Sequence, residues 1–199
     1  MPPGPYSAEL MITDALAVLD AAGVEAAHVV GTSLGGMIAQ ELAATHPDRV
    51  DRLVLMSTTP GGPDAYPMPQ VTVELLARAP SMQPAEALQA FVKNALRDDP
   101  APAVVERILH HRISNPQDPA GWQAQAVAGT TFELGAKPID VPTLILHGTA
   151  DRVVDVRNAD VLGALIPGAE VVKVAGGHLM FWEDPSDVSR ILFDFLEQA

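Results

Sequence analysis

The chain has 199 residues, 48% of them hydrophobic, no cysteine, and a formal net charge of -13. Such a length suits one domain with room for an insertion and can bury about 70% of the unfolded surface, so a core forms without staples; the lack of cysteine excludes a disulfide framework, a thiol nucleophile and a cysteine metal site. The acidic balance argues against nucleic acid and anionic membrane surfaces, which reward clustered Lys and Arg, and favours a small neutral substrate.

In chain order, the opening MPPGPYSAEL has neither the basic nor the apolar region of a secretory signal, and no apolar run reaches membrane-spanning length. A soluble, cytoplasmic protein is expected. Ser7 is placed to cap a helix whose apolar positions Leu10, Ile12, Leu16 and Leu19 end at Gly23. The apolar run His28-Val29-Val30 leads into Gly31-Thr32-Ser33-Leu34-Gly35 and then a helix from Leu34 to Thr45. Short runs rich in Val, Ile and Leu at Leu53 to Ser57, Thr143 to His147 and Glu170 to Ala175 read as buried parallel strands. Helical spacing near Val71 to Ala79, Ala85 to Leu96, Pro102 to Ile113 and Pro119 to Gly129 breaks that rhythm. Residues 60–138 therefore read as a helical cap inserted into an α/β core of residues 1–59 and 139–199. Val156 to Leu165 has helical spacing and stops before Pro167-Gly168, and Pro185 to Leu196 closes the chain as an amphipathic helix. The alternation predicts an α/β fold, a parallel sheet with flanking helices.

A serine between strand and helix, flanked two residues away on each side by glycine, reads as a nucleophile elbow: the turn is strained, and Gly31 and Gly35 are expected to give it clearance. Ser33 also fits a plain helix N-cap, which leaves both glycines unexplained. A serine hydroxyl needs a base in reach and a group that orients the base. His178, after the third apolar run in Ala175-Gly176-Gly177-His178, is the expected base, and Asp151, in His147-Gly148-Thr149-Ala150-Asp151, the expected orienting carboxylate. Asp155 is a competing acid that fits a helix cap better. The Leu34 N–H, opening a helix, is the expected first oxyanion donor. His147 reads as packing, and His110 and His111, adjacent on a helix, point apart and make poor metal ligands. Met37, Met68, Met82, Trp122, Met180 and Trp182 suit a core better than a substrate pocket.

The segments GTSLGGMIAQELAATHPDRVDRLVLMSTTPGG, PTLILHGTADRVV and VAGGHLMFWEDP resemble the nucleophile, acid and base segments of the α/β-hydrolase superfamily, in particular its small esterases, enol-lactonases and aclacinomycin methylesterases. The resemblance implies a serine-dependent hydrolase of small carboxylic esters, working through an acyl-enzyme with no metal or organic cofactor. Lactonases, carbon-carbon hydrolases, perhydrolases and acyltransferases share the three residues. In that family several strands and a helix precede the segment beginning near Tyr6, and a His-Gly loop there donates the second oxyanion N–H. A truncated version of the fold is therefore expected, with no assignable second donor and with the strand at His28 to Gly31 on a sheet edge. An exposed edge invites pairing, so a homodimer or larger homo-oligomer is expected. The alternative is a catalytically impaired or non-catalytic remnant that serves as an interaction or assembly module.

Overall fold

The computed structural model describes residues 4–198, so the opening Met1-Pro2-Pro3 lies outside the described residues. Helix α1 spans Ala8–Ala22; Ser7 Oγ accepts from Leu10 N at 3.2 Å, and Gly23 closes the helix in the left-handed region at φ 67°. There follow β1 (Ala27–Thr32), α2 (Leu34–Thr45), β2 (Val50–Met56), α3 (Gln70–Arg78), α4 (Pro84–Asn94), α5 (Pro102–Ser114) and α6 (Pro119–Thr131). The chain closes with β3 (Thr143–Gly148), α7 (Arg157–Leu165), β4 (Glu170–Val174), the single turn α8 (Met180–Glu183) and α9 (Pro185–Leu196). Proline opens α4, α5, α6 and α9, where its missing N–H has no intrahelical partner to lose.

The strands form one sheet in the order β1-β2-β3-β4. β1 pairs with β2 in parallel, Val29 opposite Leu53, and β2 with β3 in parallel, Leu55 opposite Ile145. β3 is buried along its whole length and β2 over Leu53 to Met56. β1 lies at the end of the sheet, as expected, whereas β4, expected to be buried, is largely exposed. Val30 in β1 is 46% exposed and Val171 in β4 is 39% exposed, because an end strand lacks a neighbour on one side and is covered less completely on its faces.

By packing, the chain divides into two compact units. The first, Met1–Ala65, Asp118–Leu146 and Arg157–Val172, has a core that includes Ile12, Met37, Leu42, Leu55, Leu134 and Leu162. Helix α2 is buried on nearly every face, and its one buried carboxylate, Glu41, is met by Lys137 Nζ at 2.7 Å. The second unit, Tyr66–Gln117, His147–Val156 and Lys173–Ala199, packs Val92, Leu96, Val105 and Ile108 against Leu179 and Trp182. No described helix is long and apolar enough to cross a membrane.

Candidate active site

In the first unit the chain turns sharply from β1 into α2 at Ser33, whose φ of 54° and ψ of -121° lie where side chains are rarely tolerated. Neighbouring backbone holds it there. Ser33 N donates to Met56 O at 3.0 Å, while Ser33 O accepts from Gly36 N at 2.9 Å and from Thr58 Oγ1 at 2.7 Å. The Ser33 side chain makes no capping hydrogen bond to α2, so the plain N-cap does not describe it. Leu34 is the first residue of α2, and its N–H stands at the positive end of that helix.

A β-carbon on Gly31 would lie 2.4 Å from Gly35 O and 2.8 Å from the Ala39 β-carbon, so residue 31 has to be glycine. Gly35 departs from expectation: a β-carbon there meets nothing within 4 Å, since Gly35 presents its backbone, not its side-chain direction, to Gly31. The second crowded position is Gly36, whose β-carbon would lie 2.6 Å from that of Thr58. Gly31→Ala is expected to cost about 1–3 kcal/mol of stability through overpacking against backbone, and Gly35→Ala much less. Urea unfolding of the two variants checks this, and equal midpoints would contradict the crowding at Gly31.

In the second unit Asp151 and His178 meet. Asp151 follows β3, and His178 follows β4 after two glycines; His178 Nδ1 stands 2.8 Å from Asp151 Oδ2, and both side chains are buried. Asp151 Oδ1 accepts from Val153 N at 2.8 Å and Val154 N at 2.9 Å. Burial pushes the carboxyl pKa up, but the hydrogen bonds from His147 and His178 and the charge of His178 outweigh it and hold Asp151 well below the usual carboxylate range. Asp155, the competing acid, stands two residues before α7.

The loops carrying Asp151 and His178 touch backbone to backbone. A β-carbon on Gly148 would lie 2.2 Å from Gly177 O, and one on Gly177 would lie 2.5 Å from the Leu96 carbonyl carbon. Thr149 N donates to Val174 O and Ala150 N to Gly176 O, each at 2.8 Å. The far end of α4 fastens both loops. Arg152, next to Asp151, donates to Leu96 O at 2.7 Å, Lys93 O at 3.0 Å and Asp98 Oδ1 at 2.8 Å, a cation set at the negative end of a helix. Leu179 N donates to Ala95 O at 3.0 Å, and the buried Glu183 carboxylate accepts from Gly177 N at 2.6 Å and Arg97 N at 2.9 Å.

His147 differs from the packing role expected of it: fully buried at the end of β3, it places Nε2 3.1 Å from Asp151 Oδ2. Its spacing of four residues from Asp151 was the available clue. Arg152 and Glu183 had none in the sequence. His110 and His111 are exposed on α5, the His111 ring 6.1 Å from that of Trp182, over which the Arg107 guanidinium lies at 5.4 Å. Among the described residues no group of three His, Cys, Asp or Glu is placed to hold a metal ion. Met37 and Met180 are buried in the core, whereas Met68 and Trp122 are exposed.

An imidazole whose Nδ1 is tied to a carboxylate has Nε2 left to accept a proton. A family model described as the alpha/beta hydrolase fold matches residues 2–185. Over 187 residues the chain is 33% identical to the 2-hydroxy-6-oxononadienedioate/2-hydroxy-6-oxononatrienedioate hydrolase of Cupriavidus pinatubonensis, a match covering 90% of this chain and 65% of that one. The chain thus spans just under two thirds of that relative's length. Among solved structures it is similar to a hydrolase from Pseudomonas aeruginosa PA01, with 29% identity, TM-score 0.80, and 100% of this chain and 75% of the other covered. The enol-lactonase from Burkholderia xenovorans LB400 is 25% identical with TM-score 0.82, covering 99% and 75%.

Proposed function

The chain belongs to the family of the α/β-hydrolase fold, and from that premise we propose that it is a serine hydrolase of small, neutral carboxylic esters. Ser33 Oγ attacks the carbonyl carbon while His178 Nε2 takes the hydroxyl proton. The same imidazole returns that proton to the departing alcohol, leaving an acyl-serine that water, deprotonated by His178, then cleaves. Asp151 keeps the His178 proton on Nδ1, and the Leu34 N–H steadies the oxyanion. Residues 60–138 are read as the cap over the substrate. Each of Ser33, Asp151 and His178 follows the carboxyl end of a strand, where open parallel sheets carry their sites.

The observation that carries the proposal is Ser33 itself: a non-glycine residue in a strained turn whose hydroxyl makes no capping hydrogen bond to the helix behind it. Treatment with a fluorophosphonate, followed by peptide mass mapping, is expected to place one adduct on Ser33. An unlabelled protein that still folds would favour the non-catalytic remnant. Identity with the Cupriavidus enzyme favours a second reading, an oxo-diacid substrate of the kind in that enzyme's name. Rates on aryl acetates and on a 2-hydroxy-6-oxo dienedioate separate the two.

Pairing of two copies along β1 belongs to the same proposal, supported by its place at the end of the sheet and the exposure of Val30. Light scattering at micromolar concentration is expected to give at least the mass of a dimer; a stable monomer would refute it.

A further inference from the structure

His147 is a buried imidazole in the second unit whose place in the chemistry above is unassigned. Its Nε2 faces two oxygens, Asp151 Oδ2 at 3.1 Å and Val154 O at 3.2 Å. A carboxylate and a carbonyl both only accept, so Nε2 has to carry a proton. Nδ1, on the other side, is buried without a partner. A second proton there would be a buried cationic donor with nothing to meet it, so the ring is neutral.

The contacts close a ring. Val154 donates its N–H to Asp151 Oδ1 and offers its carbonyl to His147, which reaches back to Asp151 Oδ2. Val153 and Val154 alone fix only Oδ1. His147, standing on a strand that is buried throughout, fixes Oδ2, the oxygen that also meets His178 Nδ1. Being fully buried, His147 cannot reach a substrate.

We propose that His147 is a positioning residue: as the neutral Nε2–H tautomer it aims the Asp151 carboxylate at His178 and shares the charge of the oxygen that His178 uses. The effect on turnover rests on the Ser33, His178, Asp151 reading; the tautomer and its hydrogen bond do not.

Two measurements test it. With histidine-labelled ¹⁵N protein at neutral pH, NMR is expected to show His147 protonated at Nε2 and bare at Nδ1. The Nδ1–H tautomer would overturn the proposal, and this experiment requires no variant to fold. His147→Phe removes the donor and is expected to lower kcat by about 10- to 100-fold with KM unchanged, and to move the downfield Nδ1–H resonance of His178, because misplacing a supporting group by an ångström costs that much. His147→Gln, whose amide nitrogen can replace Nε2, is expected to recover most of both. A folded His147→Phe protein that labels at Ser33 and keeps the wild-type kcat and resonance would overturn the inference while leaving the serine reading intact. An unlabelled wild-type protein with the expected tautomer would overturn the serine reading and support the hydrogen-bond assignment.

Discussion

Ser33→Ala is expected to lower kcat for ester hydrolysis by about 10⁴-fold or more and to abolish fluorophosphonate labelling, with little change in stability. On the proposed mechanism the large effect follows from removing the atom that bonds to the substrate carbonyl. Little stability is lost because the hydroxyl makes no capping hydrogen bond to α2. Ser33→Gly should be as inactive yet more stable, by about 1 kcal/mol, since a φ of 54° and ψ of -121° suit glycine and strain serine. Burst kinetics on an aryl ester and thermal unfolding of the same preparations check both halves. If purified Ser33→Ala hydrolyses at the wild-type rate, the nucleophile lies elsewhere.

Asp151→Asn is expected to fold and to lose about 10⁴-fold in kcat, because the amide reverses the polarity of one oxygen position and not the other. Val153 N and Val154 N both donate to Oδ1, so the amide oxygen takes that place and the amide nitrogen faces His178. His178 Nδ1 then has to accept, which puts its proton on the nitrogen that should receive the serine proton. The same variant carries a pH signature. The Asp151 carboxyl is held below its ordinary value in the folded protein. Its stabilisation is therefore complete above the unfolded-state pKa of about 3.9 and is lost as pH falls from there towards the folded value. Urea unfolding from pH 6 down to pH 2 is expected to show wild type converging on Asp151→Asn below that point. A stability gap that stays constant across the range would mean that Asp151 is not the titrating group.

Local features were legible and distant ones were not. Ser7 and Gly23 bracket α1, and proline opens four helices, because caps act over three or four residues. The elbow was legible for the same reason, although crowding falls on Gly36 and not on Gly35, which depends on where Thr58 arrives from β2. The exposure of β4 is not legible, because Val171, Val172 and Val174 have the composition of a central strand and only the sheet order shows that it lies at an end. Arg152 meets Leu96 across 56 residues and Glu183 meets Arg97 across 86. No periodicity reaches so far. His147 was visible as a residue but not as a partner of Asp151, since its neighbours are set by how the chain folds back after β3.

The end of α4 and the residues just after it have a consequence for anyone re-engineering the protein. Helices outside a sheet invite exchange, and α5, with an outer face that includes His110 and His111, tolerates redesign. The stretch from Lys93 to Arg97 does not, because it holds the neighbour of the acid through Arg152 and the loop of the base through Leu179 and Glu183. A graft that crosses that boundary disturbs the Asp151 and His178 loops along with the outer surface, so chimaeric joints belong after Asp98.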